Sequence, residues 1–148
     1  MRSPAIYSLR MQSSWLSLAG HTILVVDDDG DTRELLRAIL VVHGAEVTAA
    51  ASARDARIML DQSRPDVLIT DLAMPGEDGF SLMAHCRHHA LPELRALPIV
   101  ALTAYGTPQV EHRVLAAGFD AYLAKPVDPG QVAATVRDLI LRKSSSAR

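Results

Sequence analysis

Asp71 closes the apolar run Val67-Leu68-Ile69-Thr70 and opens the stretch Leu72-Ala73-Met74-Pro75-Gly76-Glu77-Asp78-Gly79. Asp27 and Asp28 end an earlier apolar run, Ile23-Leu24-Val25-Val26. If the two runs are neighbouring strands, three acids meet at one sheet edge. Such a cluster is costly unless a cation enters it or some of the acids stay protonated. A carboxylate so placed can act as a nucleophile, and its attack on phosphorus yields an acyl phosphate. The negative charge must then be managed. Mg2+ does so with one or two carboxylates, waters and phosphate oxygens. Asp28 and Asp71 suit direct ligation, and Asp27 suits a role through water. Lys125 can neutralise one phosphoryl oxygen as a mobile point charge, and Thr103 can donate its hydroxyl to another. In-line phosphoryl transfer needs mainly positioning and charge stabilisation, which this set supplies.

The elements that must position these groups are legible as alternating patterns. Short apolar runs at Ile23–Val26, Glu46–Ala50, Val67–Thr70, Ile99–Leu102 and Ala121–Ala124 read as strands, most of them covered on both faces. Helical segments lie between them. Leu35, Leu36, Ile39 and Leu40 form one apolar face that stops at Gly44. Ser52 with Asp55, Asp78, Thr107-Pro108 and Asp128-Pro129 are start signals, and Pro65 and Gly118 are stops. Strands alternating with helices predict a parallel sheet with helices on both faces, an α/β doubly wound fold. Ligands of such sheets bind beyond the carboxyl ends of the strands. Asp27, Asp28, Asp71, Thr103 and Lys125 all fall at those ends.

The 148 residues fit one domain, expected over 21–142, with a flexible extension or linker over 1–20 and a polar tail over 143–148. A net charge of -2 gives no electrostatic reason to expect direct nucleic-acid binding. One cysteine, Cys86, excludes an internal disulfide. No apolar run approaches the roughly 20 residues that span a bilayer, and no signal peptide is recognisable, so a cytoplasmic protein without a membrane partner is expected.

Four separated blocks carry a resemblance. Val25-Val26-Asp27-Asp28, Asp71 through Gly79, Leu102-Thr103-Ala104 and Tyr122-Leu123-Ala124-Lys125-Pro126 resemble receiver domains of two-component response regulators over Thr22 to Arg142. The resemblance implies a five-stranded parallel sheet of flavodoxin-like order 2-1-3-4-5. It implies Asp71 as phosphoacceptor, charged from a phosphohistidine on a histidine kinase or a histidine phosphotransfer protein. It implies Mg2+ held by Asp27, Asp28, Asp71 and the Ala73 carbonyl. Thr103 and Lys125 would contact the phosphoryl group, and Thr103 and Tyr122 would form a switch. The Lys125-Pro126 peptide would be cis. The output would be a downstream protein target, with a homodimer as an option. The surface for either would comprise the helix begun at Thr107, the strand Ala121–Ala124 and the helix begun at Asp128. Small residues Ala116, Ala117, Ala133 and Ala134 would permit close packing there. Such a receiver catalyses only its own phosphorylation and dephosphorylation.

The sequence departs from the family pattern at Ala73 and Tyr105, positions that place or block a hydrolytic water. Neither offers a carboxylate or amide, so a long-lived phosphorylated state is expected. Gly30 stands where many relatives carry proline, which loosens the first helix start.

Other readings compete. Asp29 and Asp31 read as helix-start acids. The calcium-loop pattern fails at Thr32 and Ala38. Arg33, Arg37, Arg54, Arg57 and Arg64 are scattered and read as solvated faces. His85, Cys86, His88 and His89 read as a helix-end surface cluster, since no further ligand completes a site in sequence. An aspartyl-nucleophile phosphatase of haloacid dehalogenase type would place its nucleophile pair at Asp27-x-Asp29. Within the receiver reading, the chain is either a single-domain regulator or a receiver from a hybrid histidine kinase.

Overall fold

Five short runs become five strands. In the computed structural model, which describes residues 17–146, they are β1 (Thr22–Val26), β2 (Glu46–Ala50), β3 (Val67–Asp71), β4 (Ile99–Thr103) and β5 (Ala121–Ala124). β1, β3 and β4 are too short and too evenly apolar for a one-faced helix, while β2, Glu46-Val47-Thr48-Ala49-Ala50, alternates at the sheet edge. All pairings are parallel and the order is β2-β1-β3-β4-β5, as the resemblance implied. Six helices connect and cover them: α1 (Gly30–Val42), α2 (Ala53–Gln62), α3 (Gly79–Arg87), α4 (Pro92–Arg95), α5 (Pro108–Ala117) and α6 (Pro129–Ser146).

Alternation along the strands divides the core in two. Leu24, Val26, Leu68, Ile99 and Ala101 face α2, α3 and α5, where they meet Leu60, Leu82 and Val114. Ile23, Val25, Ile69, Val100 and Leu102 face α1 and α6, where they meet Leu36, Leu40, Val132 and Val136. Both faces are dry, which is why β3 and β4 are buried at every position.

The start signals act as written. The side chains of Asp29, Ser52, Asp78 and Thr107 accept from the backbone N–H three residues on, and Asp128 accepts from Gln131 N–H at 2.9 Å. Gly118 ends α5 at φ 117°, a left-handed turn that favours glycine.

Some expectations shift. Most of the expected 1–20 extension lies outside the described residues. Of the part described, Leu18 is fully buried and donates its N–H to the His43 carbonyl at 2.7 Å, so the packed body starts before Gly20. The expected tail from Lys143 is helical as far as Ser146, because α6 continues past its last apolar turn. Leu35 is exposed, leaving Leu36, Ile39 and Leu40 as the buried face of α1. Ala133 is buried against the sheet and so is not available to a partner, whereas Ala116, Ala117 and Ala134 are exposed. No helix among the described residues is long and apolar enough to cross a membrane.

Candidate functional site

Register brings the site residues together. Val26 pairs with Thr70, Asp71 with Leu102, and Thr103 with Ala124. The residue after each pairing therefore emerges at the same edge. Asp27 leaves β1 beside the end of β3, Asp71 closes β3, Thr103 closes β4, and Lys125 follows β5. One carboxylate oxygen from each of Asp27, Asp28 and Asp71 lies within 4.8 Å of the others.

Burial sorts the three acids. Asp27 is fully buried and Asp71 nearly so, while Asp28 is exposed at the rim. Asp27 Oδ1 accepts the Asp29 N–H at 2.9 Å, and the Asp27 carbonyl accepts from Arg33 Nη1 at 2.7 Å. Lys125 Nζ sits 2.8 Å from Asp27 Oδ2 and 3.3 Å from Asp71 Oδ2. The Asp27 Oδ2 contact is an ion pair that lacks hydrogen-bond alignment, so this buried oxygen has a neighbouring charge but no aligned donor. Burial and the adjacent Asp27 charge push the Asp71 carboxyl above the ordinary carboxylate range, against the pull of Lys125. Burial of Lys125 favours its neutral form, but its pairs with Asp27 and Asp71 outweigh that and raise its pKa. Asp71 thus sits where added positive charge is favoured.

The donor set suits a hard divalent cation: three carboxylates, two of them buried, one with an oxygen short of donors. Mg2+ fits this set better than a softer ion, since neither imidazole nor thiolate is among these three ligands.

The loop after Asp71 is held tightly. Asp71 Oδ1 accepts the Ala73 N–H at 3.4 Å, and Gly79 N–H donates to the Leu72 carbonyl at 3.1 Å. A Cβ on Gly79 would lie 2.2 Å from the Asp71 carbonyl oxygen and 3.1 Å from Leu72 Cα, both backbone atoms that cannot step aside. Gly79→Ala is therefore expected to push α3 off the end of β3 and cost about 3 kcal/mol, the upper end of ordinary overpacking. Urea unfolding measures this.

Thr103 is buried, and its hydroxyl is engaged within its own loop. It accepts the Tyr105 N–H at 3.0 Å and donates to the Tyr105 carbonyl at 3.1 Å. Tyr122 is half-buried on β5, with its hydroxyl donating to Glu111 of α5 at 3.1 Å. Between the β3–α3 and β4–α5 loops lies a cavity of about 810 Å³ whose lining includes Asp71, Met74, Thr103, Tyr105, Val114 and Lys125. The Lys125-Pro126 peptide is cis, as the resemblance implied.

Sequence reading missed the pairs that join elements. Arg33 does more than line a solvated face: it holds the Asp27 carbonyl, and Arg57 pairs with Glu77 in the loop after Asp71. Arg87 ties α3 to the Leu97 and Gly118 carbonyls and to Asp120. Each arginine is ordinary in sequence; only the topology supplies its partner. The phosphatase alternative loses its second acid. Asp29 caps α1, accepting from Thr32 N–H and from Thr32 Oγ1 at 2.6 Å, and its carboxyl is held below the usual range by that contact.

Comparisons with known proteins agree with this geometry. The family profile of the response regulator receiver domain matches residues 23–137. A 14.6 kDa protein of Leptolyngbya boryana, named for its position in the sodA1 3' region, is 45% identical over 125 residues, covering 84% of this chain and 94% of its own. The transcriptional regulatory protein GltR of Pseudomonas aeruginosa is 36% identical over 127 residues, 86% of this chain but 52% of that protein, so the chain spans about half of it. The crystal structure of a putative response regulator from Chloroflexus aurantiacus superposes with a TM-score of 0.77 at 38% identity, covering 82% of this chain and 98% of that one. None of these supports a phosphatase of the haloacid dehalogenase type.

Proposed function

The chain belongs to the response regulator receiver domain family, and on that premise we propose that Asp71 is its phosphoacceptor, charged from a phosphohistidine on a histidine kinase or phosphotransfer protein. The observation that carries this reading is the meeting of Asp27, Asp28 and Asp71 within 4.8 Å, with Lys125 bridging two of them.

In the transfer, an Asp71 carboxylate oxygen forms a bond to phosphorus while the phosphorus–nitrogen bond breaks. The electron pair of that bond stays with the departing imidazole nitrogen. Asp27, Asp28, Asp71 and the Ala73 carbonyl would hold Mg2+, which supplies charge neutralisation at the phosphoryl oxygens. Lys125, already shared between Asp27 and Asp71, is within reach of a phosphoryl oxygen on Asp71. Its charge offsets the negative charge that arrives there. The Thr103 hydroxyl can leave Tyr105 for a phosphoryl oxygen, since its present partners both belong to Tyr105 in one exposed loop. That movement opens space beside β4, toward which Tyr122 can turn once it leaves Glu111. The face formed by α5, β5 and α6 then changes shape for a downstream protein or a second copy. The chain modifies itself and has no separate substrate to turn over.

Titration of Mg2+ and then beryllofluoride, followed by amide NMR, tests the reading. Shifts are expected to spread from Asp71 to Thr103 and Tyr122. Shifts that bypass Asp71, or none at all, would refute it.

The lifetime of the acyl phosphate follows from two side chains. Ala73 and Tyr105 border Asp71 in the exposed loops, and Tyr105 is 72% exposed. Neither carries a carboxylate or amide to orient water. Tyr105→Glu is expected to speed phosphate loss roughly tenfold, short of the 10²–10⁴ of a well-placed general base. A single-turnover decay measurement reads this directly, and an unchanged half-life would contradict it.

A further inference from the structure

The geometry points to a second metal site, for a divalent transition ion of the zinc type, formed by Asp61, His85 and His89 on the surface between α2 and α3. Asp61 lies in the last turn of α2, His85 in α3 and His89 just beyond its end. One ligand atom from each lies within 4.8 Å of the others. The imidazole rings stand 5.4 Å apart, edge to face, at 81°. In sequence the histidines had no third ligand; the packing of α2 against α3 supplies Asp61.

His85 Nε2 is buried and has no hydrogen-bond partner, the state of a nitrogen with a free lone pair or an unmet proton. His89 Nε2 lies 3.6 Å from Asp61 Oδ1, too long for a hydrogen bond. Tetrahedral zinc with bonds of about 2.0–2.2 Å sets ligand atoms roughly 3.4 Å apart, so the trio must contract. Asp61 can close that gap, since its side chain is 62% exposed. Two imidazoles and one carboxylate leave a fourth position for water, a usual zinc arrangement. Burial, then the nearby Arg57 charge, hold His85 below the ordinary histidine range. Arg57 is itself paired with Glu77, which offsets its repulsion of a cation. Cys86 is not part of the set. It faces the core, and burial pushes its thiol up to about 11.

One contact must change. His89 Nδ1 accepts the Leu91 N–H at 3.0 Å, which places the ring proton on Nε2. Metal at Nε2 displaces that proton, the neutral ring then carries its proton on Nδ1, and the Leu91 N–H loses its acceptor. Leu91 therefore reports on occupancy. The imidazole ligands also separate this site from the all-oxygen site at Asp71, which prefers Mg2+.

The test uses the full chain with excess Mg2+ filling the acidic site. Zn2+ is titrated by calorimetry, Co2+ by visible absorption, and ring and amide nitrogens are followed by NMR. One equivalent of Zn2+ is expected to bind, with shifts at His85, His89 and the Leu91 amide. His85→Gln and His89→Gln should each weaken binding at least tenfold, since even loss of an outer-shell partner costs about 10–100-fold. Asp71→Asn should leave it unchanged. Should a histidine variant not fold, Asp61→Asn and the wild-type ring shifts decide the same point. The proposal is overturned if Zn2+ does not bind, if Mg2+ displaces it, if Asp71→Asn abolishes it, or if the ring shifts stay still.

Discussion

Asp71→Asn is expected to abolish uptake of a phosphoryl group from a small phosphodonor, a loss of more than about 10³-fold, because the amide offers no nucleophilic carboxylate. The same substitution should make the metal-free protein more stable at neutral pH. Burial and Asp27 raise the Asp71 carboxyl in the folded state above its unfolded value. Its contribution to stability is present in full below the unfolded pKa and is lost as pH rises through the raised folded pKa. Once ionised, Asp71 therefore works against folding. Asparagine removes that charge, so the melting temperature should rise and the pH dependence through the carboxylate range should flatten. Loss of label with a raised melting temperature separates an absent nucleophile from a damaged fold. A variant that still takes up label would contradict the assignment of Asp71.

Lys125→Ala has the next largest expected effect, and with the opposite sign for stability. Among the described residues, Lys125 is the one ammonium that faces both buried acids, at 2.8 Å from Asp27 and 3.3 Å from Asp71. Removing one partner of a buried pair typically costs about 3–5 kcal/mol. Lys125 is partly exposed and screened, so about 2 kcal/mol is expected. The phosphorylation rate should fall about 10²–10³-fold, the usual cost of losing one preorganised electrostatic partner. Added Mg2+ should restore more stability to this variant than to wild type, since the cation replaces the missing charge between the same acids. Chemical denaturation with and without Mg2+ measures it. Equal gains in the two proteins would show that Lys125 does not neutralise this pair.

The strands and the strand-end site were legible because both depend on local pattern. β3 and β4 are continuous apolar runs, and Asp71 and Thr103 are where those runs turn polar. Helix starts were legible for the same reason: Asp29, Ser52, Asp78 and Thr107 each act on a backbone N–H three residues away. What escaped was non-local or too brief. α4 has four residues, about one turn, too short for a helical period to repeat. Leu18 is one leucine in a serine-rich stretch, and only its seat against α1 and β1 shows it as core. Asp61 lies 24 residues before His85, yet α2 and α3 bring them together. The direction of the Thr103 hydroxyl, toward Tyr105, is likewise a loop conformation that composition does not encode.

The most direct test is chemical mapping of the acyl phosphate on the wild-type chain. The protein is incubated with a small phosphodonor, with Mg2+ or with chelator, then reduced with borohydride and digested. An acyl phosphate is reduced to an alcohol at the residue that carried it, and mass spectrometry reads the position. Conversion of Asp71 to homoserine, present with Mg2+ and absent with chelator, is the predicted result. Conversion at Asp27 or Asp28, or conversion at Asp71 that is indifferent to the metal, would contradict a metal-assisted phosphoacceptor at the end of β3.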